Sequence, residues 1–156
     1  MPSVESLTWE KVEFLVSQLA LQIESDAKVN GNQYEGIIGI ANGGLIPATL
    51  LAKKLEIPVR MVVRAKSYNV DNERDKTTQI DWEAMKPSIL ENKDRKWLIV
   101  DDLVDSGDTM LAVSTMFPNA KTAVLIRKPT TKFDPDFFLP WPKDKADEWI
   151  VFPWEA

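Results

Sequence analysis

Residues 97–110 read WLIVDDLVDSGDTM, an apolar run that ends in two adjacent aspartates and continues into a loop of small and hydroxylated residues. We interpret residues 97–100 as a buried strand and residues 109–117 as the helix that follows the loop. The first three carboxylates of the stretch have no lysine or arginine among them, so they repel one another. A cation or a group rich in hydroxyls is therefore expected between them. The stretch predicts a ligand site at the end of a strand.

The rest of the chain alternates between short apolar runs and segments with helical spacing. Strands following helices in this way indicate an α/β protein with a mostly parallel sheet covered on both faces. Ligands of such sheets gather at the carboxyl ends of the strands. The tail is rich in proline and tryptophan and is expected to be extended. Strands are predicted over residues 36–41, 57–63, 97–100 and 121–127, and helices over residues 9–27, 45–56, 81–93 and 109–117.

The composition excludes several classes of site. The 156 residues are enough for one domain with a proper core, and the net charge of −5 argues against a nucleic-acid partner. The absence of cysteine and histidine excludes disulfides, thiolate nucleophiles and Ser-His-Asp chemistry. Acid–base work near neutral pH is therefore left to carboxylates, lysine or tyrosine.

No segment predicts a membrane span or a leader. A membrane helix needs roughly 18–20 apolar residues, and no run approaches that length. The first residues, MPSVESLTWEKV, lack the basic and apolar regions of a signal peptide. We therefore expect a cytoplasmic protein with no membrane partner.

The loop Asp105-Ser106-Gly107-Asp108-Thr109 has the composition of a phosphate site. It follows a strand and opens a helix, where unpaired backbone N–H groups and the helix dipole favour an anion. Gly107 allows a tight turn, while Ser106 and Thr109 offer hydroxyl donors. The alternative is an ordinary helix N-cap built from Asp, Ser and Thr.

Asp101 and Asp102 narrow the choice of ligand. Carboxylates at a strand end suit ribose hydroxyls, Mg²⁺ or both. With a phosphate on the adjoining helix start, they predict a site for a ribose 5-phosphate. A P-loop is disfavoured because no GxxxxGK[ST] occurs, and a receiver domain places its paired acids differently.

Several segments resemble one family. IVDDLVDSGDT at 99–109 is similar to the phosphoribosyl pyrophosphate signature of type I phosphoribosyltransferases. GIIGIANGGLIPATLLAKKLEIP at 36–58 resembles the first strand, pyrophosphate loop and next helix of that family. SYNVDNERDK at 67–76 resembles its flexible Ser-Tyr loop. IRKP at 126–129 and DEWIVFPW at 147–154 resemble the purine-contacting segments of the bacterial xanthine-guanine subgroup.

The resemblance implies a fold and an activity. The fold is a type I phosphoribosyltransferase domain over residues 1–156, with a central, mostly parallel sheet flanked by helices. It has a flexible loop at about 66–80 and a small purine-binding hood at about 129–156. The implied reaction uses Mg²⁺ and moves the phosphoribosyl group from phosphoribosyl pyrophosphate to guanine, xanthine or hypoxanthine. A homodimer or homotetramer is expected.

The resemblance also implies roles for residues near the two acids. The 5′-phosphate lies on residues 105–109, and Asp101 and Asp102 face the ribose, with Asp102 nearest the metal. Asp105 reaches the purine and acts as general base or acid. Carboxylates near the sugar stabilise a transition state that resembles an oxocarbenium ion.

The resemblance assigns pyrophosphate and purine binding to three other segments. For some of their residues there is also an ordinary structural explanation. In the family the pyrophosphate loop and the flexible loop hold the pyrophosphate, and the hood holds the base. Arg74 could instead be a solvated arginine, Lys128 a surface lysine and Trp149 a core residue. The implied site residues are Asn42, Gly43 and Arg74 for pyrophosphate, Ser67 and Tyr68 for the flexible loop, and Lys128, Trp149 and the Ile150 backbone for the purine.

Asn42 is a departure from the family pattern. Close relatives carry an arginine at this position, and the family bends the peptide bond after it into the cis form. The loss of that cation predicts weaker binding of phosphoribosyl pyrophosphate. It also keeps open a catalytically weak, nucleotide-binding regulatory protein of the same fold. A pyrimidine or nicotinamide substrate is a third alternative, against which Lys128 and Trp149 argue.

Overall fold

The computed structural model describes the backbone of residues 3–70, 75–81 and 91–155, and the side chains of these residues outside 66–70 and 75–81. The predicted helix over 81–93 therefore lies almost entirely outside the described residues. The described strands are β1 (Val4–Ser6), β2 (Gly36–Ala41), β3 (Val59–Val70), β4 (Asp75–Asp81), β5 (Trp97–Val104), β6 (Lys121–Arg127) and β7 (Trp149–Val151), and the described α-helices are α1 (Trp9–Asn30), α2 (Leu45–Leu55) and α3 (Asp108–Thr115).

Five strands form the central sheet in the order β4-β3-β2-β5-β6. The pairs β2–β3, β2–β5 and β5–β6 are parallel, and β3–β4 is antiparallel. Because β2 and β5 are adjacent and parallel, the loops after them leave the same edge of the sheet. The predicted α/β architecture is confirmed. The loops that follow β2 and β5 are neighbours.

The helices begin and end where the local chemistry favours it. Thr8 caps α1, since its Oγ1 accepts the N–H of Lys11 at 3.1 Å. Gly31, with φ 69°, ends α1 in a left-handed conformation that suits glycine. Pro47 lies in the first turn of α2, where its missing N–H breaks no helical hydrogen bond.

Alternating side chains of the strands fill two cores, one on each face of the sheet. On β5, Leu98 and Val100 pack in the core that contains buried residues of α1 and α2. Ile99 points to the opposite face and packs with Met110 and Val113 of α3. Residues that alternate in this way fix the register, because a shift by one position would exchange the two faces.

Residues 66–80 differ from the predicted loop. The structure places residues 66–70 in β3 and 75–80 in β4, with Ser67 opposite Thr78 and Tyr68 opposite Thr77. The interpretation as a loop was wrong because these polar residues show no hydrophobic alternation. Threonine, tyrosine and valine nevertheless favour extended backbone, and β3 offers a free edge to pair with.

Strand β5 is also longer than predicted. It continues through Val104 because Leu103 and Val104 pair with Ile126 and Arg127 of β6. Asp101 and Asp102 therefore belong to the strand itself rather than to the loop that follows. Their carboxyl groups are held by a paired backbone.

The tail returns to the first residues of the chain. Strand β7 pairs in parallel with β1 to form a separate two-stranded sheet. Short 3₁₀ helices at Lys143–Lys145 and Pro153–Glu155 flank β7. The predicted extended tail is confirmed, and it contains the short strand β7. Among the described residues, no helix is both long and apolar enough to cross a membrane.

Candidate active site

The loop after β2 lies directly against β5. A methyl group added to Gly43 would lie 2.7 Å from Cγ of Asp102, and one added to Gly44 would lie 2.6 Å from the carbonyl oxygens of Ile40 and Val100. Only glycine fits such close approaches. Residues 41–44, which we call the glycine loop, are thereby brought to the acidic pair, as the interpretation of a shared site requires.

The glycine loop contains a cis peptide bond. The bond joins Ala41 to Asn42, one position earlier than the family resemblance implied. The loop then turns into α2 through hydrogen bonds from the Gly44 N–H to the Ile40 carbonyl at 2.7 Å and from the Leu45 N–H to the Asn42 carbonyl at 3.2 Å. The Asn42 side chain is exposed at the edge of the sheet.

Asp101, which is buried, and Asp102, which is half-buried, form an acidic pair. The Asp102 N–H donates to Oδ1 of Asp101 at 2.8 Å, and the Leu103 N–H donates to Oδ1 of Asp102 at 2.7 Å. Burial, followed by the neighbouring charge of Asp102, raises the pKa of Asp101 well above its usual value. Burial also raises the pKa of Asp102, against the opposing effect of its hydrogen bonds. No ion pair in the part of the chain that the structure describes includes either carboxylate.

The helix start after β5 leaves amide groups free for an anion. Gly107 precedes α3 with φ 90°, and a methyl group there would lie 2.8 Å from Oγ1 of Thr131 and would also contact Phe133. The first helical bond is from the Leu111 N–H to the Gly107 carbonyl, so the N–H groups of residues 108–110 have no partner within the helix. Outside the helix, the Asp108 N–H donates to Ser106 Oγ at 3.3 Å, and an anion would have to compete with this bond. The cap is thus a glycine without a side-chain hydrogen bond.

Asp105 is held by a residue that the sequence interpretation missed. Thr130 Oγ1 donates to Oδ1 of Asp105 at 2.9 Å. The two loops are brought together by the Lys128 N–H, which donates to the Val104 carbonyl at 3.0 Å. The position of Thr130 two residues after Lys128 was the available signal, but the sequence alone does not show which loop it meets.

Lys128 is buried, with only 6% of its surface exposed. Its Nζ donates to the Glu148 carbonyl and approaches the Ala146 carbonyl at 3.5 Å. The alternative of a surface lysine is therefore wrong. Lys128 joins the end of β6 to the tail immediately before Trp149, so the three candidate purine residues are neighbours.

Trp149 exposes its side chain, whereas Ile150 exposes backbone groups. Trp149 is 64% exposed, which excludes a core position for it within this chain. In β7, the Trp149 N–H donates to the Ser3 carbonyl, and the Val151 carbonyl accepts from the Leu7 N–H, each at 2.8 Å. Because backbone groups alternate along a strand, the N–H and C=O of Ile150 point away from β1.

The structure describes only some of the candidate site residues of the predicted flexible loop. Ser67 and Tyr68 lie in β3, whose neighbour is β2, and their backbones pair with β4. Arg74 lies outside the described residues. Its proposed contact with pyrophosphate stays a prediction.

A further acidic residue comes close to the pair. Burial, together with the charge of Asp102, raises the pKa of Glu155 in the last 3₁₀ helix. The preceding Trp154 stacks on Phe152 with ring centroids 4.7 Å apart. Nothing in the local sequence indicates this approach, because it depends on the path of the whole tail.

Comparisons with known proteins agree with this geometry. Residues 4–156 match the model of the phosphoribosyl transferase domain. The chain belongs to this family. The predicted resemblance and fold are thus confirmed.

Relatives and solved structures of the family cover nearly the whole chain. The xanthine-guanine phosphoribosyltransferase of Idiomarina loihiensis is 33% identical over 96% of this chain and 85% of its own length. Purine phosphoribosyltransferase from Pyrococcus horikoshii superposes with a TM-score of 0.76 at 31% identity, covering 100% of this chain and 95% of that chain. A hypothetical protein from Neisseria gonorrhoeae with bound ppGpp gives a TM-score of 0.76 at 26% identity, covering 100% of this chain and 91% of that chain.

Proposed function

We propose that this protein is a purine phosphoribosyltransferase. It transfers the phosphoribosyl group of phosphoribosyl pyrophosphate to guanine, xanthine or hypoxanthine and releases pyrophosphate and the nucleoside monophosphate. The relatives named above support this choice. The observation that carries it is a set of three contacts: Gly43 against Asp102, Asp105 bonded to Thr130, and Lys128 bonded to the Glu148 carbonyl. These contacts support a single site with neighbouring positions for pyrophosphate, ribose and base.

The reaction is a substitution at C1′ of the ribose. A purine nitrogen forms the new bond to C1′ as the bond from C1′ to the pyrophosphate oxygen breaks, and the electron pair leaves with pyrophosphate. Asp105 accepts the proton that the purine loses. Positive charge on the sugar ring is stabilised by the carboxylates of Asp101 and Asp102.

The acidic pair fits a magnesium ion. Enzymes of this family generally use Mg²⁺. Within the described residues, no three or more acidic, histidine or cysteine side chains form a metal-binding group. One or two carboxylates, completed by ligand oxygens, are the usual protein contribution to a Mg²⁺ site, and we assign Asp102 to it. When bound, the ion neutralises charge on the departing pyrophosphate.

The two phosphate groups take different ends of the site. The 5′-phosphate binds the loop of residues 105–109, where the free amides of α3 point outward. The pyrophosphate binds at Asn42 and Gly43 of the glycine loop. From the flexible loop, Arg74 contacts the pyrophosphate, and Ser67 and Tyr68 close over it. This division places C1′ between the glycine loop and Asp105.

The base takes the space beside Lys128. An ammonium group has three donors, and two of those of Lys128 point to carbonyl oxygens, so one remains for the purine O6. The exposed ring of Trp149 supplies a stacking surface. The outward backbone groups of Ile150 read the opposite edge of the base.

One assay tests the proposal. The protein is mixed with Mg²⁺, phosphoribosyl pyrophosphate and guanine, xanthine or hypoxanthine, and nucleotide formation is followed by chromatography. Adenine and uracil serve as matched control bases without the 6-oxopurine pattern. We expect product with at least one of the three oxopurines and none with the controls. Product only with a control base would overturn the substrate class.

A second candidate is a nucleotide-binding regulatory protein of the same fold. Asn42 favours it, as does the Neisseria gonorrhoeae structure that holds ppGpp. Binding of nucleotide without any turnover in the assay above would select this candidate. A homodimer or homotetramer remains a prediction, and sedimentation at micromolar concentration tests it.

A further inference from the structure

Arg64 of β3 lies at the carboxyl edge of the sheet, beside the glycine loop. In the parallel pairing of β2 with β3, the register partner of Arg64 is Ala41. Ala41 is the first residue of the glycine loop, which follows β2. Neighbouring strands lie about 4.8 Å apart, which places the Arg64 backbone one strand spacing from the loop.

The face on which Arg64 projects follows from its neighbours. Met61 and Val63 are buried in the core on the α3 side. Side chains alternate along a strand, so Arg64 projects to the opposite face. On that face Gly39 lies beneath α2, since a methyl group there would lie 3.2 Å from Cβ of Ala48. Arg64 is therefore on the same side as the first turn of α2, which follows the glycine loop, and its side chain is exposed.

Among the described side chains, Arg64 has no partner that would hold its charge elsewhere. Among the arginines whose side chains are described, Arg95 pairs with Glu35 and Arg127 pairs with Asp134. No ion pair or hydrogen bond joins the Arg64 side chain to any residue that the structure describes. With respect to the described side chains, its guanidinium is available to a ligand.

The glycine loop needs a cation that it does not contain. Its four residues, ANGG, carry no positive charge, and the carboxylate of Asp102 lies against Gly43. A pyrophosphate bound there by backbone amides alone would meet a neighbouring negative charge. A guanidinium presents a planar set of donors that matches phosphate oxygens in pairs.

We propose that Arg64 binds the pyrophosphate group of phosphoribosyl pyrophosphate and supplies from β3 the positive charge that Asn42 does not supply from the loop. This inference rests on the proposed function and names a further substrate-binding residue for it. It also modifies the expectation of weak binding that Asn42 alone would suggest.

The test compares Arg64→Gln with Arg60→Gln. Both arginines are exposed on β3, but Arg60 lies near its other end, where it meets Gly36. Calorimetric titration with magnesium pyrophosphate is expected to show roughly 10–100-fold weaker binding for Arg64→Gln, the range for a lost charged hydrogen bond. Arg60→Gln should bind as the unmodified protein does. Nucleoside monophosphate, which lacks pyrophosphate, should bind both variants equally well.

A double variant that moves the positive charge from position 64 to position 42 sharpens the test. Asn42→Arg, added to Arg64→Gln, moves the cation from β3 to the loop and should restore most of the lost affinity. In the unmodified background, Asn42→Arg should tighten binding further. Failure of the double variant to recover would show that Arg64 acts through the fold rather than through its charge.

The outcomes separate this inference from the proposed function. Nucleotide formation with unchanged pyrophosphate affinity in Arg64→Gln would overturn the role of Arg64 alone. Weakened pyrophosphate binding in the variant, without nucleotide formation by the unmodified protein, would support Arg64 and overturn the transferase. An unmodified protein that binds no magnesium pyrophosphate would overturn both.

Discussion

Residues 101–109 and residues 146–150 contribute to one candidate site, but they are held in place by different interactions. Residues 101–109 run from the paired strand β5 into α3 and pack on a buried core. Residues 146–150 lie in the tail, where the Lys128 amine and the pairing with β1 hold them. We call the first region the phosphate half and the second the base half.

The difference fits what each half is proposed to bind. Phosphate and ribose are recognised by consecutive amides and carboxylates, which one strand and one helix start can present together. A base needs a stacking surface, an edge contact and a donor, which here come from separate places in the chain. Changes in the phosphate half should therefore affect chemistry, while changes in the base half should affect the affinity for the purine.

The largest effect is expected from Asp105→Asn in the phosphate half. The asparagine amide oxygen still accepts the hydrogen bond from the Thr130 hydroxyl, but it cannot take the purine proton. Turnover should therefore fall about 10²–10⁴-fold, the usual range for a general base. Binding of phosphoribosyl pyrophosphate should persist. Initial rates of nucleotide formation and calorimetric titration measure the two effects.

Asp94→Asn is the matched control for this change. Asp94 is an exposed aspartate that precedes β5, at the opposite end of the strand from the site. Its replacement should leave the rate unchanged. Equal rates for Asp105→Asn and the unmodified protein would remove Asp105 from the chemistry.

Lys128→Met is expected to give the next largest effect and to act on the base half. The change leaves the Glu148 carbonyl without the Lys128 donor and removes the proposed contact with O6. We expect the KM for the purine to rise roughly 10–100-fold while the KM for phosphoribosyl pyrophosphate changes little. Lys143→Met, at an exposed lysine of the same tail, is the control. An equal rise in both KM values would contradict the separation of the two halves.

Much of the fold, and part of the site, could be predicted from local sequence. Helices α1 and α2 and strands β2 and β6 carry periodic apolar residues and clear end signals, so their positions are confirmed. Strand β1 was missed because three residues show no period, and its partner β7 lies near the other end of the chain. The polar strands β3 and β4 show no such signal beyond residue 65, because their pairing rather than burial defines them.

The site residues also divide into those visible in local sequence and those that depend on contacts between distant parts of the chain. Asp101, Asp102 and the loop of residues 105–109 are contiguous, so their chemistry was visible in one stretch. Thr130 and Glu155 act across long separations, and the burial that raises the pKa of Asp101 depends on the assembled sheet. Sequence therefore predicts which groups are present more readily than how they are positioned.

Thr130→Val tests the contact that orients Asp105 in the phosphate half. Valine keeps the shape of threonine but donates no hydrogen bond to Asp105, so the carboxylate loses its orientation. One lost hydrogen bond of about 1 kcal/mol corresponds to a fall in kcat of roughly fivefold. Thr130→Ser, which retains the hydroxyl, should restore the rate. A similar loss in both variants would indicate a packing role instead.

The smallest effect is expected on stability and comes from Asp101→Asn. Because the folded-state pKa of Asp101 lies above its usual value, the unfolded chain loses this proton first as pH rises. The native state therefore loses stability from about pH 4 up to the raised pKa, and asparagine does not carry this penalty. At pH 7 the free energy of unfolding should rise by on the order of 1 kcal/mol, while activity falls. Urea denaturation at pH 4 and pH 7 measures the difference, which should shrink at the lower pH. A less stable Asp101→Asn at pH 7 would mean that the Asp101 carboxylate is stabilised in the native state.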